Sequence, residues 1–296
     1  MSTPPNTDQA GWRWPNGARL ALSVVVNVEE GSELTIARGD RGPDPVDELG
    51  VAMRSAVRNY GNESNYAYGL KEGGPRVLKL LDEYEFPATF AAAAMSLESA
   101  PYLAEAIADG PHEPCSHGWR WVHQHRFDRD EEKAFIERAV ESIQKTTGAR
   151  PYGWLSRYLH TEHTRELLSE LGFEYHMDDY SADAPFWDKT LQPNMVVMPY
   201  ALDSNDMKMW TAPSLTPPQW LQYAKDTFDC LYEEGASVPR LMSLGLHLRI
   251  IGRPGRIGAL RDFMEYVRRH DDVWVATRLD IARQFASVSH PSEANV

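Results

Sequence analysis

Two adjacent carboxylates, Glu29 and Glu30, follow an apolar run, and two histidines, His117 and His247, each close a later apolar segment. A carboxylate and an imidazole together can activate water and protonate a leaving nitrogen, which is the chemistry of hydrolysis at a C–N bond. Asp178 and Asp179 end a further segment of the same kind. Arg120, Arg157, Arg249 and Arg253 offer forked donors for carbonyl or carboxylate groups. Trp119, Trp121, Trp154 and Trp187 can wall a small flat substrate, although a tryptophan is more often core than pocket. The densest stretch is Pro114-Cys115-Ser116-His117-Gly118-Trp119-Arg120-Trp121. Its bland alternative is a core loop with an arginine stem laid along apolar surface. Cys115 stands close enough to His117 to suggest a nucleophile. No helix N-terminus follows to lower its pKa, so it reads as a buried small hydrophobe.

These groups need elements that bring them to one place. Residues 19–28 are a nearly continuous apolar, β-branched run, the pattern of a strand buried on both faces. Further strands are expected at 86–94, 173–177, 195–200, 240–247 and 273–277, with another strand and its outgoing loop over 150–158, and the loop at 112–116 leads into the dense stretch. Helices alternate with them at 76–84, 101–108, 128–147, 161–171, 217–234, 257–270 and 279–286. Between Leu34 and Leu70 the pattern fades into Gly, Pro, Asn and Tyr, which reads as a long irregular excursion serving function or assembly. Alternation of strand and helix predicts an α/β chain built on a parallel barrel. In such a barrel the strands' carboxyl ends share one mouth, so Glu29/Glu30, His117, Asp178/Asp179 and His247 would meet there.

Composition narrows the classes. The chain has 296 residues, 42% hydrophobic and 25% charged, with a net charge of −13 and no Lys/Arg run, which argues against a nucleic-acid partner. Two cysteines, Cys115 and Cys230, make no disulfide framework. No stretch is long enough to span a bilayer, and the polar, Pro-rich residues 1–11 lack the pattern of a signal peptide. They read as a flexible arm preceding a single domain over 12–290. A cytoplasmic location without membrane partners is the expectation.

Several motifs resemble a known family. Asn27-Val28-Glu29-Glu30-Gly31, Ser116-His117-Gly118-Trp119-Arg120-Trp121, Asn205-Asp206-Met207, residues 231–236, Leu244-Gly245-Leu246-His247, Gly252-Arg253-Pro254 and residues 273–278 are similar to the polysaccharide deacetylase superfamily. Within it they resemble the branch of the metal-independent allantoinase of urate breakdown, together with cyclic-imide hydrolases and peptidoglycan deacetylase-like proteins. The resemblance implies a distorted (β/α) barrel of about seven parallel strands, the NodB-type fold. It also implies hydrolysis of a cyclic amide, ureide or imide, and a homo-oligomer. Glu29, Glu30, His117 and His247 would be catalytic. Trp119, Arg120, Trp121, Trp154, Arg157, Asp179, Trp187 and Arg249 would bind substrate.

Most deacetylases of the superfamily hold a divalent metal with an acid and two histidines spaced i and i+4. Here His117 has Trp121 at the second position, and an indole nitrogen is a donor only. No metal and no other cofactor is therefore the reading taken. Zinc held with help from His123 or His125, in a deacetylase of an N-acetylated sugar or peptidoglycan, is the alternative. Residues 153–158 depart from the branch's Gly-Trp-Tyr-Thr-Gly-Arg loop, and its acidic pair is reduced to Ala182-Asp183. Those changes lie where the substrate would be chosen.

Overall fold

The computed structural model describes residues 12–45 and 55–291. The arm expected at 1–11 lies outside the described residues. In chain order the elements are β1 (Leu20–Val28), α1 (Tyr60–Tyr68), α2 (Gly74–Tyr84), β2 (Ala88–Ala92), α3 (Ala94–Ser99), α4 (Pro101–Asp109), β3 (Glu113–Ser116), α5 (Arg129–Thr147), β4 (Gly153–Trp154), α6 (Thr164–Glu170), β5 (Tyr175–His176), β6 (Phe186–Asp188), β7 (Met195–Val197), α7 (Pro217–Glu234), β8 (Arg240–His247), α8 (Leu248–Ile251), α9 (Pro254–Val267), β9 (Val273–Val275) and α10 (Arg278–Val288).

Seven strands run parallel in the order β7-β5-β4-β3-β2-β1-β8. β6 adds antiparallel to β7, and β9 pairs with the first residues of β1. The sheet curls into a half-barrel, and Leu241 N donates to Asp183 O at 2.8 Å to tie β8 to the chain ahead of β6. Alternation along each strand decides which residues look inward. On β1, Leu20, Leu22, Val24, Val26 and Val28 pack outward with α2, α7 and α9. Ala21 and Val25 pack inward, with Cys115, Tyr175, Met198 and Leu241, over a floor made by Trp14 and α10. The inward register of β1 continues through Asn27 to Glu29, and that of β8 through Gly245 to His247. Among the described residues, no helix is long and apolar enough to cross a membrane.

The excursion at 34–70 is less irregular than its composition implies. Asn59 caps α1 by accepting from Asn62 N at 3.0 Å, and Tyr66 is fully buried. A π-helical turn, Gly69–Gly73, then runs directly into α2. Capping and burial override the weak local propensity of Asn and Gly. Four short elements were not expected: the stretch expected as a loop at 112–116 holds strand β3, α3 follows β2 directly, and β6 and α8 carry no sequence pattern of their own.

Candidate active site

Glu29, His117 and His247 converge at the carboxyl ends of β1, β3 and β8. Glu29 Oε1 lies 3.3 Å from His247 Nε2 and 3.6 Å from His117 Nε2. Its other oxygen, Oε2, lies 2.7 Å from Arg249 Nη2. All four side chains are buried. His117 Nδ1 is 2.6 Å from Leu155 O, so that nitrogen carries a hydrogen and Nε2 is left facing Glu29. His247 Nδ1 is 2.7 Å from Asp206 Oδ1, while Asp206 Oδ2 accepts from His247 N at 2.8 Å and Ile251 N at 3.1 Å. Asp206 thus fixes the ring and both ends of α8 with one carboxylate.

Glu30 turns to the opposite side of the strand end. It accepts from Arg249 N at 2.9 Å and lies 3.3 Å from Arg249 Nη1. Arg249 therefore sits between the two acids, with its guanidinium 4.4 Å from the Tyr66 ring and 5.7 Å from the Trp121 ring. Glu29 is the acid that faces the cup, and Glu30 seats Arg249 behind it.

Charge sorts these groups. Burial would raise the Glu29 carboxyl, but Arg249 and the two imidazoles overcome it and hold it well below the usual carboxylate range. Burial would lower His247, but the carboxylates of Glu29 and Asp206 outweigh it and carry the imidazole up to about 10. Burial and the neighbouring Glu29 raise Glu30 against the opposing pull of Arg249. At neutral pH the site holds an anionic Glu29 against a protonated His247.

A small, partly open cup lies in front of Glu29. Trp121, Leu155, Arg157, Tyr158, Tyr180 and Tyr200 form much of its wall, with Asn27 and Asn205 deeper. Arg157 is committed at its fork: it reaches Asp44 at 2.7 and 3.1 Å and Trp121 O at 2.7 Å, 3.5 Å above the Trp121 ring. It shapes the wall by holding the indole in place.

Five of the side chains expected to bind substrate lie elsewhere. Trp119 packs under the Arg138 guanidinium, 3.3 Å from its ring, on the α5 side. Arg120 pairs with Asp40 at 2.8 Å and the carbonyls of Ser32 and Glu33, fastening the loop after β1. Trp154 is buried among Phe135 and Phe173 and donates to Ser156 Oγ at 2.8 Å. Trp187 lies against Phe285 and donates to Ser289 O. Asp179 accepts from Ser181 N at 2.8 Å, and its neighbour Asp178 holds Ser156 N at 2.8 Å. Arg253, a further candidate fork, bonds Asn65 Oδ1 at 2.6 Å. Parity explains Trp154, which is adjacent to Leu155 and points to the other face of the sheet, whereas Trp119 lies past the end of β3, after the left-handed turn at Gly118. Asp206, Asn27, Asn205 and Tyr200 had no assigned role from sequence, although the first three stand in motifs that carried the resemblance.

The donor set does not fit a divalent metal. Trp121 supplies no lone pair, and Arg249 places a positive charge 2.7 Å from Glu29. His123 Nδ1 is taken up by Arg157 O at 2.9 Å, and neither His123 nor His125 lines the cup. Among the described residues, no group of three His, Cys, Asp or Glu side chains is disposed to hold a metal.

Comparison with known proteins agrees with this architecture. The polysaccharide deacetylase family profile matches residues 65–176. A Schizosaccharomyces pombe protein assigned as a polysaccharide deacetylase is 34% identical over 307 residues, covering 95% of this chain and 94% of the relative. The crystal structure of a Pseudomonas aeruginosa protein with the same assignment superposes with a TM-score of 0.89 at 40% identity, covering 95% of each chain. The crystal structure of PuuE allantoinase also gives a TM-score of 0.89, at 38% identity, covering 98% of this chain and 96% of that one.

Proposed function

The chain belongs to the polysaccharide deacetylase family, and from that premise we propose that it opens a small cyclic amide, ureide or imide without a metal. It is a hydrolase acting on C–N bonds other than peptide bonds, as members of this family are. One observation carries the finer reading: a single Glu29 oxygen is flanked by the Nε2 atoms of His117 and His247, inside a small cup walled by Trp121. Similarity to PuuE allantoinase supports a cyclic substrate.

Environments that push two titratable groups apart assign the base and the acid. Glu29, kept ionised, takes a proton from water as the water oxygen bonds to the carbonyl carbon. His247, kept protonated, gives its Nε2 proton to the ring nitrogen as the C–N bond breaks. Glu29 then carries one proton and His247 lacks one, and their 3.3 Å contact is the path for its return. His117, fixed by Leu155 O, completes the water's surroundings. Arg249 holds Glu29 in place.

The test is hydrolysis of allantoin, hydantoin and succinimide, with and without chelator. Ring opening that survives chelation and falls ~10²–10⁴-fold in Glu29→Gln is the expected outcome. Activity lost to chelator and restored by zinc, or acetate release from an N-acetylated glycan, would overturn it.

A further inference from the structure

Tyr200 lines the cup, yet the proton transfers above leave it no part. Its hydroxyl oxygen accepts from Asn27 Nδ2 at 2.9 Å and from Asn205 Nδ2 at 2.9 Å. Neither amide can be turned over without loss. Asn205 Oδ1 accepts from Met207 N at 2.8 Å, and Asn27 Nδ2 also donates to Leu246 O at 3.2 Å. A phenolic oxygen that already accepts two hydrogen bonds has only its proton left to offer. Among the described residues that proton goes to no acceptor, although Tyr200 is only 5% exposed. A buried donor without a partner calls for an explanation. Burial raises the phenol's pKa despite the bond from Asn27, so the proton stays on oxygen at neutral pH.

Gly245 gives the hydroxyl its place. A Cβ there would lie 2.2 Å from Tyr200 Oη and 2.6 Å from Asn205 Nδ2. Gly245 stands two residues before His247, and Asn27 two before Glu29, on the inward registers of β8 and β1, so the hydroxyl sits one inward position below the acid–base pair on both strands.

We propose that the Tyr200 hydroxyl donates to the substrate's carbonyl oxygen as that oxygen gains charge, and that Asn27 and Asn205 are positioning residues that aim it. The assignment rests on the hydrolase reading of this cup. Water's oxygen bonds to the carbonyl carbon, and the π pair moves onto the oxygen beside Tyr200. The pair returns when the C–N bond breaks, and the phenol keeps its proton throughout. His247 is then free to serve the leaving nitrogen alone.

In Tyr200→Phe, kcat should fall ~10²–10³-fold, the loss seen when one oxyanion donor is removed, with KM within about threefold. Asn205→Asp separates aim from packing. Its carboxylate accepts the Tyr200 proton and turns it from the cup, so kcat should fall comparably with the ring still in place. This variant carries the test if Tyr200→Phe does not fold. Hydantoin binding, measured by calorimetry in Glu29→Gln with and without Tyr200→Phe, is read beside turnover. Rings opened by the parent but a kcat within twofold in the folded Tyr200 or Asn205 variant would overturn the donor and leave the hydrolase reading standing. No ring opened, but hydantoin held about tenfold more weakly without the hydroxyl, would leave the donor standing and sink the hydrolase reading. No turnover with equal or absent hydantoin binding would overturn both.

Discussion

Glu29 and His247 hold opposite charges because each is the other's partner, and Arg249 and Asp206 lie on the outer sides of the pair. This fixes the sign of the pH response. Activity needs His247 protonated, so kcat/KM should be flat through neutral pH and fall as pH rises through about 10. Removing the Asp206 charge lowers the imidazole's pKa. Asp206→Asn should therefore move the alkaline limb of the pH–rate profile to lower pH and cost ~10²–10⁴-fold in kcat. An alkaline limb that stays in place in that variant would show that another group sets it. Stability follows the same linkage: the folded value lies above the ordinary one near 6.5, so the charged His247 contributes fully below ~6.5. That contribution is lost as pH rises through about 10. At this scale the residue types in the sequence were informative, because an acid and imidazoles closing apolar strands have few structural reasons to be there. Trp119, Trp154 and Trp187 misled, since an indole fills a core as readily as it walls a pocket.

Strand parity separates Glu29 from Glu30. The two are adjacent, so only one can continue the inward register of Asn27, and the other turns toward Arg249 and α8. The π turn and α8 form the support behind them, held by close backbone approach at Gly73. A Cβ there would lie 2.0 Å from Leu248 O, and Gly252 presses on the same residue from the other side. Neither neighbour is a side chain that can swing away. Gly73→Ala should cost about 3 kcal/mol, lowering Tm by roughly 5 °C or more in a thermal melt. A smaller shift would mean that the turn can relax. Long elements such as β1, α5 and α7 were legible from periodicity, because each buries one face or stripe over several turns or pleats. The two-residue strands β4 and β5 lay inside expected strands. β6 and α8 were not legible, since three or four residues carry no period and their partners are distant in sequence.

The curled sheet brings together groups more than two hundred residues apart, and long-range ion pairs hold the loop after β1 across its mouth. Asp44 and Arg157, both buried, make the innermost of these, and Trp121 stacks beneath the guanidinium. Removing one partner leaves a buried charge uncompensated, so Asp44→Ala should cost about 3–5 kcal/mol in denaturant unfolding. A cost below 1 kcal/mol would show that water reaches the pair. The sequence alone determined the α/β alternation, that an acid and two histidines close apolar segments, and that an indole stands four residues after His117, because each is written in residue type, spacing and local period. The tertiary structure decided which acid faces the cup, that Arg157 and Arg120 clasp a loop, and that Asp206, Asn27 and Asn205 fix His247 and Tyr200. Those outcomes depend on the curl and parity of strands that meet only after folding, and no local stretch of chain carries that information.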